Sequence, residues 1–359
     1  MDESSYSMSS QKKINDKKEI TILIKEKKSK INNILNNKKL LSFIFVFILI
    51  FLIIRIYLIY FKNNYNNNVN FIYENYENNI ITDRMKKYAG WRTTLEQMSF
   101  LNGIIRKNKL KNCLEVGVAD GGSSVLILNA IKDMKNSFLV SLDLNEQLYL
   151  NPKEKTGFRV NTYFPELTKN WKLYTGDLPH KFLEKLNIKF DFLFLDTAHI
   201  APGEVLNFIE CLPFLKENAV VVIHDIIWHF SDRSSIKFHP APILLLPSIY
   251  GEKVVLGYSR REIGNIGAAF LNPNQENHYL DYFLLLLNFW EYMPNDNQIN
   301  DLRSFIKRYY KKDIYLNIFN MAVSKNENYI NRVKKLNYSS INYKNIILNL
   351  GSNYTNQLN

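Results

Sequence analysis

Between Asn112 and Ile223, five short apolar runs alternate with stretches of helical periodicity, and few folds accommodate such a pattern. The runs are Asn112–Val116, Phe138–Leu142, Trp171–Tyr174, Phe190–Leu195 and Ala219–Ile223. Strands that are apolar throughout are buried on both faces, which requires a parallel sheet covered by helices on each side. Helices are expected at Thr93–Lys107, Gly121–Ile131, Pro179–Leu186 and Gly203–Leu215. The polar stretch Asn145–Asn170 shows no helical pattern and reads as a covering loop. Lys253–Tyr258 and Asn265–Leu271 add two further strands as an antiparallel edge, and His278–Phe289 is a Leu- and aromatic-rich helix. The expected fold class is α/β: a doubly wound, seven-stranded, mostly parallel sheet of Rossmann-like type.

In such a sheet, ligands bind beyond the carboxyl ends of the strands, near the point where strand order reverses. The first strand runs into the segment NCLEVGVADGGSS, where Gly117, Gly121 and Gly122 permit sharp turns and close approach of a ligand to the backbone. Asp143 ends the second strand, where an acid can grip a ribose hydroxyl pair. Gly176 and Asp177 follow the third strand, Asp196 the fourth, and His224 and Asp225 the fifth. Each has an ordinary reading as well: Asp177 as a cap for the helix at Pro179, Asp225 as a turn residue. Together they outline a ligand site.

The segments LEVGVADGGSS, VSLDLN, YTGDLP, FDFLFLDTAH and LPFLKENAVVVIHD give residues 88–273 a resemblance to class I S-adenosylmethionine-dependent methyltransferases, in particular the small-molecule and sugar O-methyltransferase branch. Glu217-Asn218 stands where that family has a glycine turn, with Asn218 able to adopt a left-handed conformation. The resemblance implies S-adenosyl-L-methionine as cofactor. Glu115, Gly117, Gly121 and Ser123 would shape the pocket for its amino-acid end, Asp143 would hold the ribose, Asp177 would face the adenine amino group, and Asp196 would lie beside the methyl group. It also implies a divalent cation such as Mg at Asp196 and Asp225, although Ile226 stands where a third ligand often follows. Methyl transfer to an alcohol needs the hydroxyl proton removed, by a base or through a cation that lowers the hydroxyl's pKa. His199, three residues past Asp196, is the first candidate base and His224 the second, with His229 and His239 in reserve. Both His199 and His224 also have a plain reading as partners that fix the carboxylates.

Ahead of this domain, Leu40–Phe61 is a 22-residue apolar run whose only charge is Arg55. It is long enough to span a bilayer, and Tyr57 and Tyr60 suit the interface. The expected organisation is a Lys-rich segment 1–39, a transmembrane helix 40–61, an Asn-rich linker 62–83, a methyltransferase domain 84–273, a helical extension 274–324 and an Asn-rich tail 325–359. Lysines before the span place the N-terminus in the cytoplasm and the domain opposite, which conflicts with a cytosolic cofactor supply, so orientation stays open. The net charge of +12 does not indicate nucleic acid. Residues 1–39 alone hold ten Lys against five acids, and no compact basic stripe with interleaved aromatics occurs. Cys113 and Cys211 lie in apolar surroundings and read as small buried hydrophobes.

The acceptor implied is a hydroxyl on a saccharide or other small molecule at a membrane, and nothing in the pattern specifies an oligomeric state. Two rival readings stay open. One is an NAD(P)- or nucleotide-dependent enzyme on a similar sheet, opposed by Ala119 at the middle-glycine position. The other is a catalytically silent domain in glycan assembly.

Overall fold

The computed structural model describes residues 80–89, 93–227, 241–256 and 264–335. The apolar run 40–61, His229 and His239 lie outside them. Among the described residues, no helix is long and apolar enough to cross a membrane.

Seven strands form one sheet in the order β5-β2-β1-β6-β7-β9-β8. They are β1 (Asn112–Val116), β2 (Phe138–Asp143), β5 (Trp171–Thr175), β6 (Phe190–Leu195), β7 (Leu215–His224), β8 (Gly251–Val255) and β9 (Ile266–Leu271); β3 (Gln147–Leu148) and β4 (Asn151–Lys155) pair separately. The first five sheet strands are parallel, while β9 runs antiparallel to both β7 and β8. Strand order reverses between β1 and β6, because the chain leaves β1 toward β2 and later returns to β1's other side.

Alternation along each strand divides the interior into two cores. Leu114, Val116, Val140, Leu142, Leu193 and Leu195 face α5 (Pro179–Leu186), α6 (Gly203–Cys211) and the C-terminal helices. Cys113, Leu139, Phe192, Phe194 and Val222 face α2 (Leu95–Lys107) and α3 (Gly122–Ile131). A short α1 (Asp83–Tyr88) joins that second core through Met85. Helix α2 starts where Thr94 and Gln97 satisfy each other's backbone N–H groups in a capping box.

Several expectations need correction. Residues 145–170 are not a bare loop: they hold the β3–β4 hairpin, α4 (Phe158–Tyr163) and a 3-10 turn at Pro165–Asn170. Only Val160 of α4 is buried, so the segment lacks a periodic stripe. Tertiary bonds, Gly157 N–H to the Ala119 carbonyl (2.8 Å) and Arg159 N–H to that of Asp120 (3.0 Å), hold its start. Helix α3 begins at Gly122, with Gly121 at a φ of +92° as its cap. Strand β7 begins at Leu215 rather than Ala219. A bulge between the Phe190–Leu215 and Phe192–Val220 pairs absorbs Lys216–Asn218, and Asn218 is not left-handed. Strand β8 spans Gly251–Val255, two residues earlier than the expected start.

The C-terminal region is not an appendage. After α7 (Pro242–Ser248) and the two last strands come α8 (Tyr279–Leu284), α9 (Asp296–Tyr309) and α10 (Asp313–Lys335), the last running past the expected boundary at 324. Tyr282, Trp290, Phe305 and Phe319 share one core cluster with Leu114 and Val116 of β1. Trp290 is fully buried: its backbone N–H donates to Asn326 Oδ1 (2.8 Å) and its indole N–H to the Leu286 carbonyl (2.8 Å). Trp290→Ala is expected to cost about 3–5 kcal/mol. Denaturant unfolding followed at sheet and helix signals should shift as one transition. A lowered midpoint for the helices alone would show that they fold separately.

Candidate active site

Gly117 ends β1 at the reversal point, with a φ of +90°. A Cβ there would lie 1.9 Å from the Asp196 carbonyl oxygen, so only glycine lets the ends of β1 and β6 approach this closely. The Asp196 N–H donates to the Val116 carbonyl (3.0 Å) and the Gly117 N–H to that of Leu142 (2.9 Å), which binds three strand ends into one crest.

A cavity of about 240 Å³ opens above it. Of the residues picked from sequence, Gly117, Asp143, Asp177, Asp196, His199, His224 and Asp225 line it. Asp143 Oδ2 accepts from the backbone N–H groups of Val118 (2.8 Å) and Ala119 (3.1 Å), and Oδ1 from that of Asn145 (2.8 Å). Three of about four acceptor positions are thus filled, leaving one for a ligand hydroxyl. Burial raises the Asp143 pKa, and the three N–H groups offset part of that. Asp177 is exposed at the rim, where Oδ1 accepts from the Leu178 N–H (2.8 Å).

Glu115, Gly121 and Ser123 do not line the cavity. The Glu115 carboxylate is fully buried and accepts from the hydroxyls of Ser123 (2.5 Å), Ser124 (2.5 Å) and Ser141 (2.6 Å). It fastens the start of α3 to β1 and β2. Gly121 instead gives room to the neighbouring chain, since a Cβ there would lie 3.0 Å from Gly157 Cα.

At the other end, His199 and His224 stand among three acids. His199 Nε2 lies 3.1 Å from Asp225 Oδ2 and 3.7 Å from Asp196 Oδ1, and Nδ1 lies 3.4 Å from Glu204 Oε1. His224 Nδ1 lies 3.4 Å from Asp196 Oδ2 and 3.5 Å from Asp225 Oδ2. Burial pushes the His199 pKa down, but Asp225, Glu204 and Asp196 outweigh it and lift it to about 9. The His224 ring, against the same opposing burial, is also held well above its ordinary value by Asp196 and Asp225. Burial raises the Asp225 pKa, but His199, His224 and the Asn265 amide reverse this and hold it below the usual carboxylate range.

Glu204 is absent from the sequence-based selection. Its Oε1 accepts from the His199 N–H (2.8 Å) and from the Thr197 N–H (3.2 Å) and hydroxyl (3.0 Å). It thereby shapes the loop that presents His199 at a φ of +61°. An acid in the first turn of a helix ordinarily reads as solvated, and burial alone distinguishes this one.

Asp196, His199 and Asp225 each offer a ligand atom within 4.8 Å of the others. Oxygen and imidazole donors at that spacing fit a divalent cation, for which His199 would be the third ligand in place of Ile226. Cation binding there would displace the His199 proton.

Residues 114–226 match a family model described as a methyltransferase domain. Residues 114–226 thus carry the sequence pattern of a methyltransferase domain. No curated protein matches it. Among solved structures it is similar to the O-methyltransferase TomG from Streptomyces achromogenes in complex with SAM, at 15% identity over 53% of this chain and 90% of that one, with a TM-score of 0.40. An O-methyltransferase from Bacillus cereus in complex with SAH matches at 16% identity over 56% and 90%, with a TM-score of 0.37. The SAH-bound methyltransferase PaMTH1 of Podospora anserina matches at 17% over 54% and 89%, with a TM-score of 0.38.

The Glu115 cluster yields a pH prediction. Burial, only partly offset by the three serines and reinforced by Asp196, lifts the Glu115 pKa from 4.5 to about 7. A raised folded-state pKa means folding takes up a proton. Its stabilisation is complete below about pH 4.5 and is lost as pH rises to about 7, by about 3 kcal/mol in all. Glu115→Gln should flatten the pH dependence of unfolding free energy across that window. Wild-type and variant slopes that coincide there would refute the assignment.

Proposed function

We propose that the domain binds S-adenosyl-L-methionine across the crest and transfers its methyl group to a hydroxyl oxygen. The observation that carries this is one continuous cavity with Gly117, Asp143 and Asp177 at one end and the Asp196–His199–Asp225 cluster at the other. When bound, the cofactor supplies an electrophilic methyl group on a sulfonium. The chain's contribution is chiefly to align donor and acceptor for in-line displacement. Gly117 lets the ends of β1 and β6 close into the floor beneath the cofactor's amino-acid end, and the free acceptor position of Asp143 takes a ribose hydroxyl.

His199 is the proposed base. Glu204 fixes its loop and Asp225 faces its Nε2, so an acceptor hydroxyl entering beside Asp225 can pass its proton to that nitrogen once the ring is neutral. His224 sits deeper and balances the charge of Asp196 and Asp225. A divalent cation held by Asp196, His199 and Asp225 would instead lower the pKa of the bound hydroxyl. These two roles of His199 exclude each other at any one moment, and chelator sensitivity separates them.

The finer part of the proposal is a saccharide or glycan-precursor acceptor, with the chain tethered to a membrane by residues 40–61. Its support is the resemblance to the sugar-modifying branch and the 22-residue apolar run.

Calorimetry with S-adenosylhomocysteine and labelled methyl transfer into glycan extracts of a deletion strain test these points. Asp143→Asn should weaken S-adenosylhomocysteine binding about tenfold, the loss of roughly one charge-assisted hydrogen bond. His199→Ala should leave that binding intact and slow transfer about 100- to 10,000-fold. A wild-type chain that ignores S-adenosylhomocysteine but binds NAD(P) would overturn the methyltransfer reading. Label appearing only in non-saccharide material would overturn the acceptor.

A further inference from the structure

Charges that are scattered along the sequence are sorted by the fold. Five stretches lead from a helix into a parallel strand: 106–111, 132–137, 164–170, 184–189 and 212–218. Because parallel strands are joined by crossovers, all five lie at the edge of the sheet opposite the crest. They carry ten basic residues against four acids. The stretches that leave the parallel strands at the crest, 117–121, 144–157, 176–178, 196–202 and 225–227, carry two lysines against six acids. The domain is thus polarised along its strands, acidic at the crest and basic at the far edge.

Contacts tie the basic stretches into one face. Asp191, the second residue of β6, accepts from the backbone N–H groups of Lys111 (3.0 Å) and Asn112 (2.9 Å) and from Lys216 Nζ (3.1 Å). The Asn112 amide donates to the Lys189 carbonyl (3.2 Å), and Lys189 Nζ donates to that of Pro213. Arg308 pairs with Glu184 (2.6 Å), which brings the end of α9 to the same edge. Asp133 lies 4.0 Å from Arg106. The acids at this edge are therefore largely engaged, whereas Lys109, Lys111, Lys135 and Lys185 are exposed with no carboxylate partner among the described residues.

Phe164 and Phe214, the aromatic residues of these stretches, are both buried, so the face offers no ring on which a nucleic-acid base could stack. Exposed lysines spread over several loops suit a flat array of anionic headgroups, where each cation adds attraction without a fixed geometry. A separate observation points the same way. Asn129, in the last turn of α3, donates to the Ile80 carbonyl (3.3 Å), so the chain enters the domain beside the basic edge. A tether at residues 40–61 would hold the domain by that edge and not by the crest.

We infer that the basic edge docks on an anionic lipid surface and turns the crest away from it. The acids of the crest disfavour the reverse orientation. An acceptor then reaches the Asp196–His199–Asp225 cluster from the water side, not from within the headgroup layer. This docking is independent of methyl transfer and draws only on the tether from the proposed function.

The test uses the full chain with vesicles of phosphatidylcholine alone or of an equimolar mixture with phosphatidylglycerol. Acetylation of each lysine is followed by mass spectrometry. On mixed vesicles Lys109, Lys111, Lys135 and Lys189 should react at least about fivefold more slowly than on neutral ones, the fold-change of one lysine's attraction to an anionic surface. Lys153 and Lys155, exposed in the crest hairpin, should react equally on both. Salt at about 1 M, which screens charges beyond about 3 Å, should abolish the difference. Lys109→Gln, Lys135→Gln and Lys185→Gln combined should remove the protection of Lys111 and Lys189 while leaving the denaturant midpoint unchanged. Equal reactivity of the far-edge lysines on both vesicles would overturn the inference and leave the tether standing. Capture by mixed vesicles only, lost in the triple variant, would support the docking face and remove the tether. Protection by added RNA with none by mixed vesicles would make this a nucleic-acid surface and overturn the inference.

Discussion

The contact between Gly117 and the Asp196 carbonyl fixes the geometry of everything above the sheet. β1 and β6 are neighbours, but the chain reaches them from opposite halves of the fold, and their ends must pass within van der Waals distance. A methyl group at residue 117 would occupy the carbonyl's position. With no side chain there, the backbone bonds from Asp196 to Val116 and from Gly117 to Leu142 close together. Asp143 then holds Val118 and Ala119 onto the end of β2. One glycine thus determines where the first loop lies, where Asp196 points and how wide the cavity opens.

The second constraint is charge. Asp196, Glu204 and Asp225 crowd two histidines in a part-buried corner of the cavity, where unpaired ions are disfavoured. The arrangement is tolerable because the same fields that raise the histidine pKa values lower that of Asp225. A cluster held together by shared protons responds readily to a new cation or a bound hydroxyl, since either can replace a proton without leaving a bare charge. The structural and the chemical readings of His199 and His224 are therefore compatible: residues that keep the carboxylates in place are also those from which protons can be moved.

The sheet was legible because its central strands are largely apolar on both faces, and a short run such as Asn112–Val116 or Phe190–Leu195 has few other uses. The strand ends were legible because Asp143, Asp196 and Asp225 break those runs with acids at equivalent places. Residues 145–170 were not, since α4 buries one side chain and owes its start to bonds with the Ala119–Asp120 loop. Glu204 and Glu210 were hidden for a related reason. On a helix an acid every few residues reads as a solvated face, and only the packing of α5, α7 and α8 against α6 reveals both as buried. Glu115 reads in the glycine segment as a ligand contact, whereas in the fold its carboxylate is buried and accepts from Ser123 and Ser124 of that same segment and from Ser141 on β2.

The C-terminal helices connect stability with ligand choice. Tyr292 and Pro294 line the cavity from a segment just beyond Trp290, and the Glu291 N–H donates to the Ala201 carbonyl (2.9 Å) in the loop that carries His199. Trp290 is itself buried in the core that includes the ends of β1 and β6. The cavity's side wall is therefore not an independent lid; it is built on a core anchor and bonded to the loop presenting the candidate base. Remodelling that wall for a different ligand would disturb core packing and the His199 loop together. Strand ends can change one side chain at a time, whereas this wall is constrained to change with the fold that supports it.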